Sequence, residues 1–398
     1  MPAHPVIRPD PMTGELPEPF PPFSPGEIAR RHAAVRVRMR ERGVDWLLIY
    51  GAGRSAEVQY LTEWPGTRES ALLFPLDGDP TLLVQLYNHV PNAQRRATGS
   101  DVRWAGPSTA DGVAAALQDR GGSHTRIGLA GPVPWRMHAR LREQLPAAEL
   151  VDLSDDLREL RLRKSAEELD RLRIAARITD GAMRALEEQV RPGLREHELI
   201  GVVEGAIVAA GGTPGIHFMA TTPMRAPTIG VPSQLQTSRL LERGDVLITE
   251  ITAEYQGYGG QIHRSYAIGE PPAPEFQRLH EAAVATYERI AAVLRDGATV
   301  AAVLDAAEIV HERGYTIYDD LLHGTSQLPP IIQTRRTART PQPEGFVFRE
   351  DMVVVIQPNV VTDAKGTMGL QVGETVRITA TGIERLHAYP MRFVTCLS

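Results

Sequence analysis

The sequence predicts an N-terminal α/β domain followed by a larger α+β domain, and three observations carry that reading. First, 398 residues exceed one typical domain, and 42% of them are apolar, enough for two sizeable cores. Second, short apolar runs alternate with amphipathic stretches up to about residue 155, whereas beyond it paired strand-like runs interleave with paired helix-like stretches. Third, Leu157 to Ala182 is a long amphipathic pattern with a capping box at Ser165 and Glu168, which places the boundary just before it. The expected organisation is a Pro-rich arm at 1–25, a first domain at 26–155 and a second at 156–398.

Met1 to Pro25 holds nine prolines and reads as an extended arm that could lie over a neighbouring subunit. Ser24, three residues before Glu27, caps a helix whose apolar spacing runs through Ile28, Val35 and Met39 to Gly43. Strands follow at Trp46–Tyr50, Ala71–Phe74, Thr81–Gln85 and Ile127–Ala130, with helices at Thr109–Gln118 and Pro134–Leu145. After the boundary come a helix at Glu196–Ala210, strands at Val246–Glu254 and His263–Ile268, helices at Pro274–Leu294 and Val300–Arg313, and strands at Met352–Pro358 and Glu374–Thr379. There is no 20 to 50 residue repeat.

Composition excludes several functions. Lys and Arg number 43 against 49 Asp and Glu, a net charge of −6, and no basic block could neutralise a run of phosphates, so nucleic acid is not an expected partner. No 18 uncharged apolar residues follow one another and the start has no signal-peptide run, so the expectation is a soluble cytoplasmic protein with no membrane contact. The single cysteine, Cys396, excludes an intrachain disulfide and argues against thiol chemistry. Gly51-Ala-Gly53 lacks the third glycine of a dinucleotide fingerprint, and neither G-x-S-x-G nor H-E-x-x-H occurs.

Seven segments, in order, resemble the creatinase/prolidase/aminopeptidase P superfamily with its pita-bread fold. Val58-Gln-Tyr-Leu-Thr62 resembles the "N-x-x-Y-L-T" strand, Leu160-Arg-Leu-Arg-Lys-Ser165 the "L-R-x-x-K-S" helix start, and Gly244-Asp-Val-Leu-Ile248 the "G-D-x-v-l-i-D" strand. Ala253 to Tyr258 with Gln261-Ile-His-Arg-Ser265 resembles "a-e-y-d-G-Y…D-i-t-R-t". His323-Gly324 resembles "H-G-i-G", Met352 to Pro358 "G-M-v-f-t-i-E-P", and Gly373-Glu-Thr-Val376 "E-D-t-v". The resemblance runs from about residue 30 to the end and implies a creatinase-like first domain, a pita-bread second domain and a homodimer.

The resemblance also implies a defect. Metallopeptidases of this superfamily hold two divalent ions on two Asp, one His and two Glu, positions that fall on Glu250, Gln261, His323, Gln357 and Gly373. One carboxylate, one imidazole and two neutral amides do not balance two dications in a dry site. Shifting one residue to Glu374 does not restore the last ligand, because a one-residue slip turns a strand side chain to the other face. The expectation is therefore no metal and no other cofactor, with a single ion on Glu250, His323 and His263 as the alternative left open. The peptidase histidines of the "P-H" and "H-E" segments fall on Ser233 and Pro330.

What remains could still run chemistry. Glu250 should face Gln261 across paired strands, with burial raising its pKa toward neutrality and suiting it to acid/base work. Gln261 and Gln357 would hold substrate or an oxyanion, and His323 would donate or shuttle a proton. His263 stands where creatinase is similar in using a Glu against its guanidinium substrate, which disfavours creatine. His217 precedes the substrate-side loop. Arg335 and Arg336 resemble the creatinase Arg that clamps a carboxylate, and Arg68 the Arg supplied by a partner's first domain. Ectoine hydrolase, a metal-free relative, resembles this chain in its Glu at the position of Glu250.

The functional expectation is a metal-independent hydrolase that cleaves a C–N bond in a small carboxylate-bearing metabolite, with Glu250, His323 and His263 as catalytic residues. The alternatives are an Xaa-Pro dipeptidase-like metallopeptidase, a lyase or isomerase with Glu250 as base, and a non-catalytic binding module.

Overall fold

The structure, a computed structural model, describes residues 20–325 and 328–397, so most of the arm read at 1–25 lies outside the described residues. These residues form two compact units that divide between Arg161 and Leu162.

The first unit opens with α1 (Pro25–Arg42), where the Ser24 hydroxyl accepts the Glu27 backbone N–H at 3.1 Å and Gly43, at φ 62°, ends the helix. Six strands follow, β1 (Trp46–Gly51), β2 (Ser70–Pro75), β3 (Thr81–Val84), β4 (Asp101–Trp104), β5 (Arg126–Ala130) and β6 (Glu149–Asp152), in the sheet order β4-β3-β2-β1-β5-β6. Between them lie α2 (Ala56–Thr62), α3 (Val90–Arg96), α4 (Thr109–Asp119) and α5 (Trp135–Gln144), and α6 (Ser154–Leu160) closes the unit. Both faces of the sheet are buried. Leu47 and Ile49 pack with Val35 and Met39 of α1, while Leu48 and Tyr50 pack with Val113 and Leu117 of α4 and Leu141 of α5.

Two expectations change here. Val58–Thr62, read as a strand, is all but the first two residues of the helix α2, in which Val58, Tyr60 and Leu61 are buried and the Thr62 hydroxyl donates to the Val58 carbonyl at 2.8 Å. Five residues are too few to separate a period of two from one of 3.6. The boundary also lies beyond residue 155, because Leu157 of α6 packs into the core of the first unit with Met39 and Leu47.

The second unit begins with α7 (Ala166–Gln189), whose capping box on Ser165 and Glu168 forms as read, and α8 (Glu198–Ala209). Three long antiparallel strands follow, β7 (Thr213–Pro223), β8 (Asp245–Tyr255) and β9 (Tyr258–Ile268). After α9 (Pro274–Val293), α10 (Val300–Ala307) and α11 (Ile309–Glu312) come β10 (Thr316–Ile317), β11 (Leu322–Gly324), β12 (Ile331–Ile332), β13 (Val353–Ile356), β14 (Asn359–Val361), β15 (Gly369–Gln371), β16 (Gly373–Ile378), β17 (Ile383–Arg385) and β18 (Val394–Cys396). The main sheet runs β12-β11-β13-β16-β9-β8-β7, and β10, β14 and β15 form a smaller one. Its core joins Phe276, Leu279 and Ile290 of α9 to Val246, Ile248, Val354 and Val376.

On one side of the main sheet α7 comes very close. A Cβ on Gly260 would stand 2.5 Å from the Ala176 backbone nitrogen, and the Thr179 hydroxyl donates to the Gly260 carbonyl at 2.7 Å. Strand alternation then directs Gln261 and His263 to the opposite side. Among the described residues no helix is long and apolar enough to cross a membrane.

Candidate active site

Strand pairing gathers the candidate side chains on one face. Phe218 of β7 lies opposite Glu250 of β8, Glu250 opposite His263 of β9, and His263 opposite Gly373 of β16. Gln357 follows β13, and His323 sits on β11 beside it. Directly opposed residues of antiparallel strands share a face, so the five family positions converge although more than a hundred residues separate Glu250 from Gly373. Glu250 and Gln261, expected to lie opposite each other, are diagonal neighbours: Thr252 pairs with Gln261, and Glu250 pairs with His263.

The hydrogen bonds fix the side-chain orientations. Gln261 Nε2 stands 2.7 Å from Glu250 Oε1 and 3.2 Å from His263 Nε2. A carboxylate only accepts, so the Gln261 amide must turn its NH2 group toward Glu250. Its second N–H then points at His263 Nε2, which accepts as the lone-pair nitrogen of a neutral ring. The proton of that ring sits on Nδ1, which is buried and has no hydrogen-bond partner among the described residues. It faces Gly373, where a Cβ would lie 2.9 Å away, so glycine at this position leaves room for the imidazole.

The charge states of Glu250 and His263 depend on each other. Burial raises the Glu250 pKa, but the hydrogen bond and charge of His263 and the charge of His323 outweigh it, and the carboxyl lies below its ordinary value. The expected rise toward neutrality does not occur, because imidazoles replace the compensation that metals would have given. His263 is wholly enclosed, and burial holds its pKa below the ordinary value against the pull of Glu250. Glu250 and His263 therefore form a coupled pair, 3.7 Å apart at their nearest atoms.

His323 Nδ1 lies 2.9 Å from the Gly324 carbonyl, which accepts its N–H, and Nε2 lies 3.1 Å from Gln357 Oε1. With Nε2 protonated the Gln357 oxygen accepts; with Nε2 bare the same amide can turn its NH2 inward. Either state is satisfied, which suits a residue that carries a proton.

Three expected members stand elsewhere. His217 is on the other face of β7, where Nε2 pairs with Glu204 Oε1 of α8 at 2.9 Å, one residue out of step with Phe218. Arg335 and Arg336, after β12, turn to the helices and pair with Asp305 at 2.7 Å and Glu308 at 2.9 Å. Acidic residues on α10 and at its end draw both guanidinium groups away, so neither is a clamp in this cavity. Arg68 belongs to the first unit and is exposed. Ser233 spends its hydroxyl on the Leu235 carbonyl in a local turn. Sequence reasoning passed over Asp320, whose charge interacts with that of His323. The adjacent acids Asp319-Asp320 just before a strand were its signal.

The donor set does not fit a metal pair. Gln261 directs N–H groups, not a lone pair, at Glu250; Gly373 has no side chain; and Glu374 faces away into ion pairs with Arg264 and Arg385. Among the described residues no group of three or more His, Cys, Asp and Glu is gathered to hold a metal ion.

Comparison with known proteins places these features in a family. The chain is 27% identical over 265 residues to the Xaa-Pro dipeptidase of Pyrococcus furiosus, covering 65% of this chain and 73% of the relative. It is 25% identical over 402 residues to the ectoine hydrolase of Halomonas elongata, covering 93% and 97%. The X-Pro aminopeptidase structure from Thermotoga maritima superimposes with a TM-score of 0.77 at 21% identity, covering 92% and 99%, and shares the fold. The creatinase/prolidase N-terminal domain matches residues 31–163 and metallopeptidase family M24 matches residues 170–380. The chain therefore belongs to metallopeptidase family M24, within the creatinase, prolidase and aminopeptidase P superfamily of hydrolases.

Proposed function

We propose that the chain is a metal-independent hydrolase that cleaves a C–N bond of a small metabolite. The observation that carries this reading is the 2.7 Å contact from the Gln261 amide to Glu250, because it puts a hydrogen-bond donor where a metal pair would need a second carboxylate. Glu250, ionised and set beside a neutral imidazole, takes a proton from the attacking water. Gln357 offers its amide group to the reacting carbonyl or amidine, Gln261 holds Glu250 in place, and His323, oriented by Gln357, moves a proton within the cavity. A substrate carboxylate finds no arginine in this cavity among Arg335 and Arg336. We assign its recognition to Arg68 of a second copy in a homodimer.

The test is turnover of a panel of small amides, cyclic amidines and Xaa-Pro dipeptides in the presence of a strong chelator. The reading expects at least one C–N substrate to be cleaved with chelator present, and Glu250→Gln to lose about a hundredfold or more in kcat. Turnover of Xaa-Pro dipeptides alone, abolished by chelator and restored by a divalent ion, would replace it with the metallopeptidase reading.

A further inference from the structure

Two buried side-chain atoms of the smaller sheet have no hydrogen-bond partner among the described residues, Asn359 Oδ1 on β14 and Gln371 Nε2 on β15. Each residue is only 1% exposed, and the two are directly opposed across the strand pair, so their side chains share a face. The Asn359 amide has one orientation. Its Nδ2 lies 3.2 Å from the Gly230 carbonyl and 3.2 Å from the Leu370 carbonyl, and both oxygens only accept, so the NH2 group turns to them and leaves Oδ1 without a donor. A buried acceptor and a buried donor left unmatched side by side are costly to the fold unless something fills them.

The face they share is that of the cavity. Ile356, Val360, Leu370 and Val372 sit in the core of the second unit, so alternation turns Gln357, Asn359, Gln371 and Gly373 to the other side. Gly373 borders His263, and Gln357 meets His323. Asn359 and Gln371 extend this wall by two residues along each strand, roughly 6–7 Å. The segment from Gly230 to Ser233 carries the wall across to β7. Gly230 N–H donates to the Gly366 carbonyl at 2.7 Å, and Ser233 exchanges backbone bonds with Met219, the neighbour of Phe218.

We propose that Asn359 and Gln371 form a subsite for an uncharged CO–NH group of the substrate, a primary amide, ureido or lactam unit beside the bond that is cleaved. An N–H of that group donates to Asn359 Oδ1 while its carbonyl accepts from Gln371 Nε2, which satisfies both buried atoms at once. A carboxylate brings no proton to Asn359, and an ester engages Gln371 alone. As a statement about substrate, the assignment rests on the hydrolase reading and names the group next to the scissile bond, which that reading leaves open.

The experiment is a calorimetric titration of the full chain with three probes that share one carboxylate and differ at the other end: succinamate, monomethyl succinate and succinate. Wild type should bind succinamate about tenfold or more tightly than either of the others. Gln371→Met, similar in shape but without the N–H, should remove that preference, and Gln371→Arg should turn it toward succinate, since a guanidinium reads a carboxylate. Glu250→Gln should keep the preference, because the subsite lies beside the base and not on it. Equal affinity of wild type for the three probes, no binding of any of them, or a Gln371→Met variant with the preference intact would overturn the subsite, the last result assigning the two atoms to a buried water. None of these readouts needs turnover. A wild type that prefers succinamate but cleaves no C–N bond would uphold the subsite and remove the hydrolase reading, whereas C–N cleavage without the preference would do the reverse.

Discussion

Two carboxylates of the same sheet have opposite surroundings. Glu374 points away from the cavity into a site where Arg264 donates at 2.6 Å, Tyr287 at 3.1 Å and Arg385 closes the other side, with no solvent access to Glu374 or Arg264. Glu250 points into the cavity, touches one amide and one neutral ring, and keeps part of its surface open. The first is held by two guanidinium groups, the second by imidazole and amide groups alone. The difference separates a charge that holds the fold from one available for chemistry, and it arises within one strand crossing, since Gly373 and Glu374 are consecutive residues pairing with His263 and Ile262.

The pair behind the sheet also supports the one in front of it. Arg264 donates to the His263 carbonyl at 2.9 Å and the Gly373 carbonyl at 2.8 Å, and to Pro390 and Tyr389 carbonyls as well. A guanidinium with its donors satisfied in one plane fixes the two strands that carry the cavity face.

The largest expected effect follows from breaking the buried pair. Arg264→Met should destabilise the protein by about 3–5 kcal/mol in urea denaturation, because it strands a buried carboxylate. The same site gives a sign for pH. Burial raises the Glu374 pKa, but hydrogen bonding by Arg385 and the charges of Arg264, His387 and Arg385 bring it below its ordinary value. Its contribution is therefore present above the ordinary carboxylate range and lost as pH falls through the depressed pKa. Glu374→Gln should flatten that part of the stability profile; a variant with the wild-type acid profile would break the comparison.

A middle effect belongs to the residue between the two faces. In Gly373→Ala the new Cβ would meet the Ile356 carbonyl at 2.3 Å and His263 Nδ1 at 2.9 Å. A loss of about 1–3 kcal/mol is expected, with activity falling further than stability as the imidazole is displaced. Thermal melts read beside turnover would show it. The smallest effect on stability should come from Glu250→Gln, within about 1 kcal/mol of wild type by urea denaturation, even though it removes the proposed base. A loss as large as that of Arg264→Met would mean that Glu250 is a structural charge too.

The motif order from Leu160 to Val376 was enough to read the second domain and to nominate the face bearing Glu250, Gln261, His323 and Gln357, because strand register converts sequence spacing into shared sides. It failed where one residue of register or a long-range partner decides. His217 and Phe218 are adjacent on β7, and only the pairing with β8 shows which one faces Glu250. Arg335 and Arg336 have the right distance from His323 along the chain, but Asp305 and Glu308, on and beside α10, set their direction. Asp320 was passed over because its place depends on two backbone bonds to β14 and Gln357. The pKa of Glu250 was misjudged because burial was counted without the imidazole opposite it.

The most direct test of the central claim is a calorimetric titration of the full chain with Mn²⁺ and Zn²⁺, repeated on Gln261→Asp with Gly373→Glu. Wild type should show no saturable site of micromolar affinity, since its cavity lacks the carboxylates that two dications require. Two ions bound per chain with micromolar or tighter affinity, lost in Glu250→Gln, would contradict the account.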